Sequence, residues 1–287
     1  MRSNVAEYEI IAPRTLQGVL ETLAGSPGEY MPVAGGTEVM VMLGAGTLKA
    51  KKLVSLWGLK ELRFIRETTG MMTVGAGTTY TDIRRSNLIA EEFPLLMQAA
   101  GWTGSIANQN RGTLGGNIVN ASPAADSPPA LLAYGAELVV GSIRGERTVP
   151  YTEFHLGYKK TALAMDELLL AVMLPRRFEG YFQSSRKVGA RRAQAISKVA
   201  MAMVAKLNDG VVADIAIGGA SLCEIPMRCT ATEQALLGRR LDAPTIAAAQ
   251  ASLAGEIAPI DDIRSTAKYR AYVARNLLNS MLVELST

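Results

Sequence analysis

The sequence predicts an α+β protein whose strands pair in hairpins and whose helices gather in blocks. Three observations predict it. Apolar runs meet in pairs across tight turns, around residues 68–70, at Arg144-Gly145 and at Asn208-Asp209-Gly210, which favours antiparallel pairing over βαβ crossovers. The last third carries three strand-like runs followed only by helical periodicity. Two glycine-rich turns, Ala34-Gly35-Gly36-Thr37-Glu38 and Thr113-Leu114-Gly115-Gly116-Asn117, stand apart as candidate ligand loops.

Taken in order, Thr15 caps a helix whose apolar face is Leu16, Val19, Leu20 and Leu23, ended by the glycines at 25 and 28. Residues 30–34 read as a strand entering the first glycine turn, and 38–43 as the helix leaving it. That order points a helix amino terminus at whatever lies above the turn. Residues 52–56 alternate as a strand, and a subdomain boundary is expected at Trp57-Gly58. Residues 62–66 and 71–74 should form a hairpin. Gly75-Ala76-Gly77 then opens like a dinucleotide fingerprint, but Tyr80 stands where the third glycine is needed, so a tight turn before a helix over 80–85 is the better reading.

A helix over 90–100 should turn Phe93, Leu96, Met97 and Ala100 inward. The stretch 101–127 reads as one long, nearly uncharged loop, the type that covers a ligand. A short helix over 128–134, a hairpin of 137–142 with 147–149 and a strand over 167–174 complete the second lobe. Beyond it come strands at 181–188, 195–207 and 211–218, then helices at 230–237, 243–255 and 265–285. The last carries Tyr269, Tyr272, Val273, Asn276, Leu277 and Leu282 at helical spacing, a stripe for a core or a subunit interface. The chain therefore divides at 1–57, 58–176 and 177–287.

Composition narrows the chemistry. An apolar fraction of 48% and a charged fraction of 20% suit a globular chain of 287 residues with more than one core. The net charge of +4 is spread without a basic, aromatic-interleaved run, so no nucleic acid is expected as partner. No apolar run is long enough to span a membrane, the opening residues are polar, and a reducing cytoplasm is the expected location. Cys223 and Cys229 are too few for an iron–sulfur centre, and His155 is the single histidine. With neither a histidine triad nor a zinc site available, a bound cofactor has to carry any reaction.

A diphosphate ligand needs N–H donors, glycine clearance and little negative charge nearby, and both turns are built from residues that supply these. The first offers Val33, Ala34, Gly35, Gly36, Thr37, Glu38 and Val39; the second offers Thr113, Gly115, Gly116 and Asn117. Ser122 follows as a backbone contact.

These two loops, with Arg186-Lys187-Val188-Gly189 and Ala195-Ile196-Ser197-Lys198-Val199 further on, resemble the FAD-binding medium subunit of the xanthine dehydrogenase and carbon monoxide dehydrogenase family of molybdenum hydroxylases. The resemblance covers essentially the whole chain. It implies a two-lobed FAD-binding domain of the PCMH (vanillyl-alcohol-oxidase-like) type, followed by a three-stranded antiparallel sheet with helices. It implies non-covalent FAD, with its pyrophosphate wrapped by the first loop. Asp126 falls where the family's carboxylate meets a ribose hydroxyl, although by position it could also cap the helix that follows. Leu169 and Lys187 fall beside the isoalloxazine, where a lysine would stabilise the anionic reduced ring.

Other positions depart from the family. Residues 106–110 differ from its usual Pro-Gln-Ile-Arg-Asn run, leaving the contacts of Ser105, Asn110 and Arg111 open, and Thr103 replaces an aromatic of the animal enzymes. The partners implied are a large molybdenum-cofactor subunit and a small subunit with two 2Fe-2S clusters, as a dimer of heterotrimers that delivers electrons to NAD+ or another acceptor. The segments 157–161 and 166–169, and Thr37-Glu38 in place of His-Ser or Gln-Ser, lean towards a xanthine-like N-heterocycle. A stand-alone flavin oxidoreductase, a nucleotide-binding module without redox activity and a structural interaction protein are the alternatives.

Overall fold

The computed structural model describes residues 5–191 and 194–287. Its first part is a small parallel sheet. β1 (Glu9–Ile11) leads to α1 (Leu16–Gly25), which Thr15 caps through the Gly18 amide; β2 (Tyr30–Val33), α2 (Thr37–Ala45) and β3 (Lys52–Ser55) follow. β3 lies between the other two strands and runs parallel to both. Val19, Leu20 and Leu23 pack with Val54, Leu59 and Leu62 beneath it.

The second part is a five-stranded antiparallel sheet with helices on one face. The chain supplies β4 (Ile65–Glu67), β5 (Met71–Gly75), α3 (Tyr80–Arg85), α4 (Asn87–Glu92), α5 (Pro94–Trp102), α6 (Ile106–Gln109), α7 (Leu114–Val119) and α8 (Pro128–Ala133), then β6 (Glu137–Ser142) and β7 (Gly145–Pro150). A two-stranded ribbon, β8 (His155–Gly157) and β9 (Lys160–Thr161), precedes β10 (Leu168–Pro175), which enters the sheet centre in the order β4-β5-β10-β6-β7. The register of β10 against β6 slips between Leu169 and Ala171. Such a bulge reverses which side chains face which side. Leu168 and Leu170 accordingly join the first lobe's core, whereas Leu169, Val172 and Leu174 join the second's.

The third part is β11 (Phe182–Val188), β12 (Val199–Asn208), β13 (Val211–Ala220) and β14 (Met227–Arg228), antiparallel in that order, with α9 (Thr230–Leu236), α10 (Ala243–Glu256) and α11 (Ala267–Ser286) behind. The three expected strands are present, and β14 adds a two-residue edge. β12 is buried on both faces: Ala202 and Val204 meet the second lobe's core, while Met201, Met203 and Ala205 meet the helices. On α11 the stripe divides, with Val273 and Leu282 in the core and Tyr269 and Tyr272 exposed.

Three local expectations change. The helix over 90–100 is two helices, because Pro94 cannot continue the first and starts the second at its first turn. Lys60–Leu62 make a 3-10 turn, so the first hairpin begins at Ile65. The stretch 101–127 is not one open loop: Ser105 caps α6 through the Asn108 amide, and Thr113 caps α7 through the Gly116 amide.

Candidate cofactor-binding site

A cavity of about 590 Å³ opens between the first and second lobes. Residues 33–39, Thr113, Gly115, Gly116 and Asn117 line it, together with Leu169 of β10. The two glycine turns thus share one space, a volume suited to a cofactor.

The turns are held together by the protein itself. Arg111, just before the second turn, stacks its guanidinium 3.7 Å from the centre of the Trp57 ring and donates from Nε to the Gly35 carbonyl at 3.2 Å. A Cβ on Gly35 would stand 1.7 Å from the Arg111 carbonyl oxygen, so only glycine permits this approach. Gly36 is required for another reason: its φ of 76° starts α2 from the left-handed region.

The two turns differ in what they can offer a ligand. In the second, the amides of Leu114 and Gly115 donate to Thr78 and Ala76 carbonyls, and those of Gly116 and Asn117 to the hydroxyl and carbonyl of Thr113. The expectation that both turns present free N–H groups therefore holds only for the first. At the start of α2, Gly36 provides no side-chain cap, and Thr37, Glu38 and Val39 line the cavity with first-turn amides that have no intrahelical acceptor. That end carries the positive pole of the helix. The second turn contributes shape, with the Asn117 side chain fixed by a 2.5 Å bond from Ser127 Oγ.

Ser122, Asp126 and Lys187 do not line this cavity. After α7 the chain turns away at Ala121, whose φ is 48°, and the Ser122 hydroxyl accepts from the Ala124 amide. Asp126 does not cap α8 either, since the capping position is Ser127, which makes no such bond. Its carboxylate takes a 2.8 Å contact from Lys187 and a 2.8 Å bond from Ser197 Oγ, with both members of the ion pair nearly buried. Burial raises the Asp126 pKa, and Lys187 and Ser197 pull against that rise. Lys187 faces a second recess of about 290 Å³, and Gly104 borders both spaces.

Several lining residues were not singled out from the sequence. Tyr80 is buried with its hydroxyl 3.3 Å from Ser127 Oγ. Asn120 and Lys159 meet at the rim, brought together by a ribbon whose position no local motif announces. Of the flanking residues, Thr103 lines the cavity but spends its hydroxyl on the Ala99 carbonyl, and Asn110 accepts from Thr81.

Comparison with known proteins agrees with this geometry. Residues 6–177 match the family described as FAD binding domain in molybdopterin dehydrogenase, and residues 184–285 match the CO dehydrogenase flavoprotein C-terminal domain. The chain is 29% identical to the xanthine dehydrogenase FAD-binding subunit of Escherichia coli O157:H7, over 94% of this chain and 93% of that one. It is 28% identical to the glyceraldehyde dehydrogenase medium chain of Sulfolobus acidocaldarius, over 98% and 99%. Its fold superimposes, with a TM-score of 0.92 and 27% identity, on a chain of the carbon monoxide dehydrogenase of Hydrogenophaga pseudoflava that lacks the Mo-pyranopterin moiety, covering 96% and 95%. With well over half its length matched by the flavin-domain family, the chain belongs to the FAD-binding flavoprotein subunits of the xanthine dehydrogenase and carbon monoxide dehydrogenase family of molybdenum hydroxylases.

Proposed function

We propose that the chain holds FAD non-covalently and relays electrons within a heteromeric hydroxylase. The observation that carries this reading is the uncapped amino terminus of α2, which lines one cavity together with the second glycine turn. The residues fit the group: three backbone donors at a positive helix pole suit a diphosphate, and the left-handed Gly36 brings the main chain close. FAD would supply the redox chemistry. The protein's part is to bind, orient and shield it.

A cofactor extended past Gly104 would reach the recess at Lys187. Because Asp126 contacts Lys187 directly, the two would act together at one end of the cofactor, not one at the ribose and the other at the ring edge, with Asp126 fixing the lysine. The proposed partners are a large molybdenum-cofactor subunit and a small 2Fe-2S subunit, assembled as a dimer of heterotrimers in the cytoplasm, with NAD+ or another acceptor taking the electrons. Among the described residues no helix is long and apolar enough to cross a membrane. The proposed substrate of the complex is a xanthine-like N-heterocycle. That reading rests on Thr37-Glu38 and on the segments 157–161 and 166–169, because relatives of near-equal identity are named for xanthine, glyceraldehyde and nicotinate.

Heat denaturation of the purified complex should release one FAD per copy of this chain and leave none attached to it. A complex that yields no flavin overturns the proposal. Assaying the same complex with xanthine, nicotinate and aldehydes tests the substrate, and turnover of aldehydes alone removes the N-heterocycle reading.

A further inference from the structure

Lys159 sits in the turn between β8 and β9 at a left-handed φ of 56°. Its Nζ donates to the Asn120 carbonyl at 2.9 Å and to Asn120 Oδ1 at 2.7 Å, and stands 3.7 Å from a Glu38 carboxylate oxygen. One side chain therefore links the end of α7 to the first turn of α2 across the cavity rim. The ribbon is anchored at its base as well, since the buried His155 places Nε2 2.8 Å from the Ile118 carbonyl. Burial lowers the His155 pKa, so the ring is neutral at pH 7 and its Nε2–H donates to that carbonyl.

The charges around the cavity explain why this position matters. Among the described residues lining it, Lys159 is the one cation, and the carboxylates are Glu38 and Glu167. Glu167 is already held by both ends of the Arg147 guanidinium, at 2.8 and 2.7 Å. Glu38 lies in the same helical turn whose amides are free for an anion. A diphosphate docking there meets one opposing carboxylate, and one lysine that this carboxylate holds.

We propose that Lys159 is a binding residue for the FAD diphosphate, shared competitively with Glu38, so that this ion pair sets the affinity of the site. The inference rests on the FAD-binding reading above. As the cofactor's phosphates approach the α2 amides, the Lys159 ammonium turns from Glu38 towards them. Asn120 keeps the side chain directed at the rim throughout.

The test is titration of the deflavinated complex with FAD, read by flavin fluorescence at several salt concentrations. K159Q should weaken binding about tenfold, the scale of one charge-assisted hydrogen bond, and flatten its salt dependence. K159R should restore most of the affinity. E38Q should tighten binding, because it removes both the competitor for the lysine and the opposing carboxylate. K160Q, on the exposed neighbour outside the cavity, should match wild type. Wild-type affinity and salt slope in K159Q overturn the role of Lys159, and unchanged affinity in E38Q overturns the competition with Glu38. If the wild-type complex takes up no FAD, the functional reading fails and this inference with it. If wild type binds and K159Q is indistinguishable from it, only the inference fails.

Discussion

At the scale of single residues, two adjacent glycines serve different ends, and substitution separates them. Gly35→Ala drives a methyl into the Arg111 carbonyl, so the two loops must move apart. The expected cost is about 3 kcal/mol of stability, the upper end for overpacking, together with loss of FAD binding. Gly36→Ala meets no atom closer than 4.0 Å and bears only the left-handed backbone penalty of about 1 kcal/mol. Urea unfolding of both variants checks the ordering, and equal losses would refute it. The glycines were legible as important from the sequence, but the reason was only half legible. Gly115, read as clearance for a ligand, has Ala76 where its Cβ would go, 2.5 Å away, so it serves helix packing. A contact between residues so far apart in the chain leaves no local trace.

At the scale of elements, periodicity and turn chemistry placed most strands and helices, and caps decided the rest. The stretch 101–127 read as a loop because its helices are each shorter than two turns, too short for an apolar period to register. Their capping residues, Ser105 and Thr113, were the available signal. A similar cap orders the entry to α11. Asp262 is partly desolvated, which opposes its charge. The amides of Arg264 and Ser265 and the Arg270 guanidinium outweigh that cost and lower its pKa from an ordinary 3.8 to about 2. Since the folded value is depressed, the stability it contributes is intact above about pH 4 and disappears as the pH falls towards 2. Asp262→Asn should lose stability at pH 7 and show a flatter decline across that window than wild type. Thermal melts between pH 2 and 7 measure it, and parallel curves would contradict it. Arg270 is 3% exposed, so the variant also strands a buried cation.

At the scale of the whole molecule, the α+β fold class could be read from hairpin turns and helical periodicity. The union of the two glycine turns around one ligand was suggested by their shared composition and made specific by the resemblance. The positions of Asp126 and Lys187 depended on the turn at Ala121 and on the docking of β11 and the Ser197 segment against the second lobe, which are tertiary outcomes. Because the cavity lies between lobes with separate cores, a bound ligand should stabilise the molecule as a whole. FAD at a hundredfold excess over its Kd should add about 2.7 kcal/mol, raising the melting temperature by roughly 5 °C. Calorimetry with and without FAD tests this, and an unchanged transition would show that the ligand does not hold the lobes together.

The walls of that cavity are drawn from residues near 35, near 115, at 159 and at 169. During synthesis the first wall leaves the ribosome long before the last strand that lines the cavity, and domains generally fold as their residues emerge. Flavin capture must then wait until more than half the polypeptide has been made. A nascent chain stalled short of β10 would expose its glycine turns with nothing to grip.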